Sequence, residues 1–140
     1  MTTTEKPVSQ AEALIYAMVT LSAADRSMTD GELLKIGDVV KTLPAFRDFD
    51  AEKLVKTAEA CGALLQRDDG LDRVLALIAQ SLPQRLHETA YALAVEVAAA
   101  DLHVEQEELR FLQMLRDRLD LDPLVVAAIE RSARARYRTL

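Results

Sequence analysis

Cysteine, glycine, proline and aromatic residues are all scarce in this chain, and each scarcity removes a class of structure. One cysteine in 140 residues, Cys61, forbids an internal disulfide and leaves no paired-cysteine metal motif. Four glycines and four prolines are too few to punctuate a many-stranded β fold. Tryptophan is absent and aromatics make up 4% of the residues, so the core must be largely aliphatic. No apolar run reaches the roughly 18–20 residues of a membrane span. The segment behind Met1 has one early lysine and no apolar stretch, so no secretion signal is read there. Basic excess is also missing. The net charge is −6, whereas nucleic-acid binding rests on a cationic surface that displaces counterions. The expected setting is therefore reducing and cytoplasmic, with no nucleic acid and no membrane.

What is present points to helix. Half the residues are apolar, mostly alanine, leucine and valine. Residues 1–8 are polar and read as a disordered lead-in to one domain over 9–140. Ser9-Gln10-Ala11-Glu12 is a capping box, in which serine and glutamate each satisfy an orphan helix amide. Ala13 to Ala24 then carry no charge at all, which predicts a helix buried on most faces. Thr29-Asp30-Gly31-Glu32 is a second capping box. It opens a helix with Leu33, Ile36, Val39 and Val40 inward, ended by Pro44. A third helix is predicted from Asp50 to Gln66, a fourth from Leu71 to Ser81, and a fifth from Pro83 to Ala100. The sixth runs from Gln106 to Leu119 with Leu109, Leu112 and Leu115 inward. Asp122-Pro123 starts a seventh, from Leu124 to Tyr137. No stretch alternates long enough for a strand.

One phrase occurs twice. Ala23-Ala24-Asp25-Arg26-Ser27-Met28-Thr29-Asp30-Gly31-Glu32-Leu33 returns 76 positions later (101 − 25) as Ala99-Ala100-Asp101-Leu102-His103-Val104-Glu105-Gln106-Glu107-Glu108-Leu109. The doubling predicts two similar helical hairpin units, about 9–66 and 83–137, bridged by the 71–81 helix. The fold class is thus all-α, a single domain of about seven helices.

The acids of the two turns are the chemically suggestive residues. Asp25 ends a buried helix and Glu32 opens the next. A tight connection would bring both carboxylates toward one point, where oxygen donors suit calcium or magnesium. The second turn offers Asp101, Glu105 and Glu108, and His103 would tilt it toward zinc. The alternative is structural: Glu32 completes a capping box with Thr29, Glu105 caps the later helix, and acids in a first turn favour the helix dipole. An EF-hand is excluded, because position six of a loop starting at Asp25 is Asp30 instead of glycine and position twelve is Ile36 instead of glutamate.

Other features read as structural. Cys61 lies in an apolar setting as a packed thiol. Glu96 interrupts the apolar fifth helix and is expected to face outward. His87 and Tyr91 share a face by packing. Arg131, Arg134, Arg136 and Arg138 favour a helix C-terminus and are expected to stay in water, with an acidic partner as the alternative. No phosphate loop, Ser/His/Asp order or paired-carboxylate cleft is present, so no enzymatic activity is expected.

The alanine-rich helix, Ala-Asp turn, apolar residue and Glu-Leu helix start resemble the tellurite-resistance TerB-like family over most of residues 10–130. The family pattern has Ala-Asp-Gly, a variable residue, an apolar residue, a capping position, two more residues and Glu. Ala24-Asp25, Met28, Thr29 and Glu32 fit it, as do Ala100-Asp101, Val104, Glu105 and Glu108. The glycine after aspartate is replaced by Arg26 and Leu102. The resemblance implies an all-helical, cytoplasmic bacterial domain linked to stress and tellurite resistance. It also implies metal binding through the acidic residues, or a role as an interaction module with a protein partner. Some family members sit beside J-domains in co-chaperones.

Overall fold

An uncharged stretch sets the centre of the molecule. Helix α1 (Gln10–Ser22) opens with the Ser9–Glu12 capping box, and every residue from Ala13 to Ser22 is buried. The computed structural model describes residues 6–24, 28–101 and 104–140. Among these the chain forms seven α-helices and no strand. After α1 come α2 (Asp30–Thr42), α3 (Leu54–Leu65), α4 (Gly70–Ser81), α5 (His87–Ala100), α6 (Gln106–Arg118) and α7 (Pro123–Arg136).

Because α1 has no polar face, the other helices must surround it. It packs on α5 above all, then on α3, α4, α2 and α6. The α5 contribution is small-residued: Ala90, Ala94 and Ala98 recur at i, i+4 and i+8, and all three are buried. A ridge of alanines lets two helix axes approach closely. Around this seam Tyr91, Phe111, Ile36, Ile78 and Leu115 fill the interior as fully buried side chains. The core is mainly aliphatic, with Tyr16, Phe46, Tyr91 and Phe111 as its aromatic members.

The helix boundaries follow local chemistry, with three refinements. Pro44–Phe46, Ala51–Lys53 and Gln84–Leu86 are 3-10 turns, so α3 and α5 start a few residues later than periodicity suggests. Of the segment 1–8, residues 1–5 lie outside the described residues. Val8 is half-buried, and its amide donates to Ser81 Oγ at 3.1 Å. Between α6 and α7 the chain turns in a Schellman motif. Leu121 N–H donates to the Arg116 carbonyl and Asp120 N–H to that of Asp117, both at 3.2 Å. Asp120 occupies the left-handed position at φ 51°, one that aspartate tolerates better than most residues.

Leu109 corrects the inward stripe read for α6. It is half exposed, while Glu108, Phe111, Leu112 and Leu115 face in. The cause is the helix cap: the Glu108 carboxylate folds back onto the Glu105 amide at 2.9 Å, which turns position 108 toward the protein and Leu109 outward.

Two glycines make opposite demands. A Cβ on Gly70 would fall 2.2 Å from the Leu64 carbonyl oxygen and 2.8 Å from Leu65 Cα, both backbone atoms, whereas one on Gly62 would meet nothing within 4 Å. Gly70→Ala should therefore force the α3–α4 turn apart, at a cost of about 1–3 kcal/mol. Gly62→Ala, in mid-helix, should stabilise by about 0.5–1 kcal/mol. Urea unfolding of the two variants checks both signs.

Candidate functional site

Each copy of the repeated phrase ends in a helix cap. At the first, Thr29 Oγ1 accepts from Glu32 N–H at 3.2 Å, and Glu32 Oε1 accepts from Thr29 N–H at 2.8 Å. At the second, Glu105 N–H donates to Glu108 Oε1. Glu108 is buried, a placement that a carboxylate tolerates only with hydrogen-bond partners. Glu32 and Glu108 thus carry out the capping role that the sequence offered as the alternative to metal ligation. Asp101 closes α5 in extended conformation and is exposed. Asp101 and Glu108 each take part in a further polar interaction. Asp25 and His103 lie outside the described residues, and so does the expected convergence of Asp25 with Glu32. No trio of His, Cys, Asp or Glu among the described residues is placed to hold a metal ion.

Asp101 also stands at the end of a groove of about 510 Å³ between α5, α6 and α7. Each helix gives it a row at i, i+3/i+4, i+7: Tyr91, Val95 and Ala98 from α5, Leu109, Leu112 and Arg116 from α6, Glu130 and Ala133 from α7 with the adjoining Tyr137. Two large apolar side chains, Val104 and Leu109, stand half exposed at its lip. At its closed end the Tyr91 hydroxyl donates to Glu130 Oε2 at 2.5 Å, and Arg116 Nη1 lies 3.7 Å from the same oxygen.

A second polar cluster mirrors the first. Glu96 accepts from Arg136 Nη2 through one oxygen and from the Tyr137 hydroxyl through the other. Glu96 is therefore not the water-facing carboxylate expected from sequence, while Arg136 stays half exposed and pairs with it. Both were drawn together by tertiary packing forty residues apart. Arg131, Arg134 and Arg138 are exposed, as expected. The His87 ring nitrogen stands 3.1 Å from the Leu82 carbonyl oxygen, and Tyr91, read with it as plain packing, bonds Glu130.

The capped turns fall at the places where the pattern of the family named above puts its Ala-Asp and Glu residues. Tellurite resistance protein TerB, as a family, matches residues 11–134 of this chain. The chain belongs to the TerB family. No curated protein and no solved structure matches it. Within the TerB domain, the Tyr–Glu–Arg clusters on α5 and α7 are the polar features that sequence reasoning missed. Their one local signal was Glu96, a lone carboxylate in an apolar helix.

Electrostatics separate inert groups from responsive ones. Burial pushes the Cys61 thiol up to about 11 from 9.0, partly offset by its contact with the Thr20 hydroxyl at 3.4 Å. A thiol so protonated at neutral pH is a poor nucleophile. Burial and then Glu130 raise Tyr91, and Glu96 followed by burial raises Tyr137. All three groups hold their protons longer when folded than when unfolded. Their contribution is complete below the unfolded values and is lost as pH rises, because the unfolded chain releases protons first. Stability should fall from pH 9 through 11 as Cys61 titrates, with the tyrosines adding slope above about 10. Tyr91→Phe should flatten that upper slope and cost about 1 kcal/mol at pH 7. Thermal melts at stepped pH test both.

Proposed function

We propose that this TerB-family protein is a non-enzymatic binding protein of the bacterial stress response, working in the cytoplasm. On this reading it seats a protein partner in the α5–α6–α7 groove. The observation that supports it is the pair Val104 and Leu109, large apolar side chains held half exposed at the lip of an apolar-floored groove. Interaction sites are concave surfaces of this kind, with an apolar floor and a few polar groups. The capping geometry supports it too, since Glu32 and Glu108 each spend one oxygen on a helix amide. Tellurite resistance is the phenotype in the family's name, and it enters here as the proposed stress.

A second reading keeps the acidic turns as cation sites, with Asp25, Glu32, Asp101, Glu105 and Glu108 as ligands for calcium, magnesium or zinc. In its favour, Asp101, Glu105 and Glu108 bring three hard oxygen donors within eight residues (101–108). The described residues do not by themselves complete a ligand set, so no chemical step is derived from a bound ion.

Two measurements separate the readings. In pull-downs from bacterial extract, a partner retained by the wild type should be lost on Leu109→Glu, which alters a half-exposed residue and leaves the core intact. No captured partner, or capture indifferent to Leu109→Glu, rejects the groove reading. Calorimetric titration with calcium, magnesium and zinc should show no binding if the acids serve only as caps. Binding abolished by Asp25→Asn with Asp101→Asn would instead establish the cation reading.

A further inference from the structure

The last helix is joined to its neighbours by two long-range polar clusters. Of the fourteen residues of α7, two are buried, Val126 and Ala133, against ten of thirteen in α1. It packs chiefly on α5 and is undercut on both sides. The 510 Å³ groove lies toward α6, and a second groove of about 660 Å³ lies toward α2. Ala133 lines both. Beside this apolar face, to which half-buried Val125 and Ile129 add, stands a reciprocal pair of clasps. Glu130 of α7 takes Tyr91 of α5 and Arg116 of α6. Glu96 of α5 takes Arg136 of α7 and the adjoining Tyr137. Each clasp is one carboxylate held by one tyrosine hydroxyl and one guanidinium. The α6–α7 connection is short, with Asp120 in the left-handed conformation at its centre.

We propose that α7 is a releasable strap: it opens from α5 as a unit about residues 119–122, and the two Tyr–Glu–Arg clasps set how often it does so. Burial of apolar surface is lost whole when a helix leaves, but polar clasps exchange protein partners for water at small net cost. A helix whose attachment relies in part on such clasps opens below the free energy of global unfolding. Opening joins the two grooves across α5 and uncovers the stripe Ala92, Val95 and Ala99, with Leu93 at its edge. Because Glu130, Ala133 and Arg134 of α7 form one wall of the groove assigned above to a partner, the state of the strap sets the shape of that groove. This regulatory role rests on that assignment, whereas the opening itself does not.

Native-state hydrogen exchange on the full chain tests the opening without a partner. Amides of α7 should be at least ~100-fold less protected than those of α1 and α5, the gap expected between a sub-global unit and the core. Glu96→Gln with Glu130→Gln should lower α7 protection by a further ~10-fold, leave α1 unchanged and raise binding of an apolar dye. Equal protection of α7 and α5 overturns the proposal. So does a uniform loss across all helices in the double variant, which would make the clasps part of the global fold. Each single Glu→Gln variant should give an intermediate effect, which keeps the test decisive if the double variant unfolds. Failure here leaves the groove reading standing, and failure of the Leu109→Glu test leaves the strap standing.

Discussion

The burial of an uncharged helix is the constraint on which the rest of this structure depends. From Ala13 to Ser22, α1 offers water no charged group, and all ten side chains are buried. Such a segment is stable only when neighbours cover every face. Five other helices do so, α5 foremost, with buried alanines at 90, 94 and 98. The few polar groups inside find local partners where geometry allows: the Thr20 hydroxyl lies against Cys61 Sγ. Ser22 Oγ is a buried hydroxyl with no hydrogen-bond partner among the described residues. The sole cysteine is therefore a component of the core, and its raised pKa is a consequence of that position.

This constraint explains why the conspicuous acids stand where they do. Both central helices, α1 and α5, must deliver the chain from the interior to the surface and start a new helix within a few residues. A helix start leaves amides without partners. A glutamate at the third helical position bonds back to the N-cap amide, and Glu32 and Glu108 both do this. The recurrence of Glu-Leu after Ala-Asp thus has an architectural cause that is sufficient without a ligand. The difference between the copies lies in their surroundings. Asp101 borders a groove with apolar residues at its lip, and Glu108 is buried while Glu32 is only half-buried.

The sequence carried most of the fold for simple reasons. Pro44, Pro83 and Pro123 mark helix borders because proline lacks an amide hydrogen and fixes φ. Uncharged or periodic apolar stretches between them identify the helices. The 3-10 turns were not legible, since they differ from α-helix starts by hydrogen-bond register alone. Leu109 was misplaced because the rule that leucine turns inward met a cap that turned Glu108 inward instead. Glu96, Arg136 and Tyr137 escaped notice because their pairing spans forty residues, and no local pattern encodes it. The acidic turns were legible as motifs. Their capping geometry was legible too, because a capping box is a short-range arrangement.

That contrast between local and long-range bonding also decides where the molecule can move. The caps at 29–32 and 105–108 join residues three apart and add nothing to the docking of one helix on another. The two glutamate clasps do the reverse, since they join α7 to α5 and α6 and contribute little to the helix itself. With two buried residues of fourteen, α7 draws less of its attachment from apolar area than α1, which buries ten of thirteen. Its position then depends on polar groups for which water is a ready competitor. The same argument assigns rigidity to α1 and α5, whose contacts have no such competitor. Adaptability therefore falls on α7, which borders both grooves together with α5, and the bundle beneath it can stay fixed while the surface at Val95 and Ala99 changes.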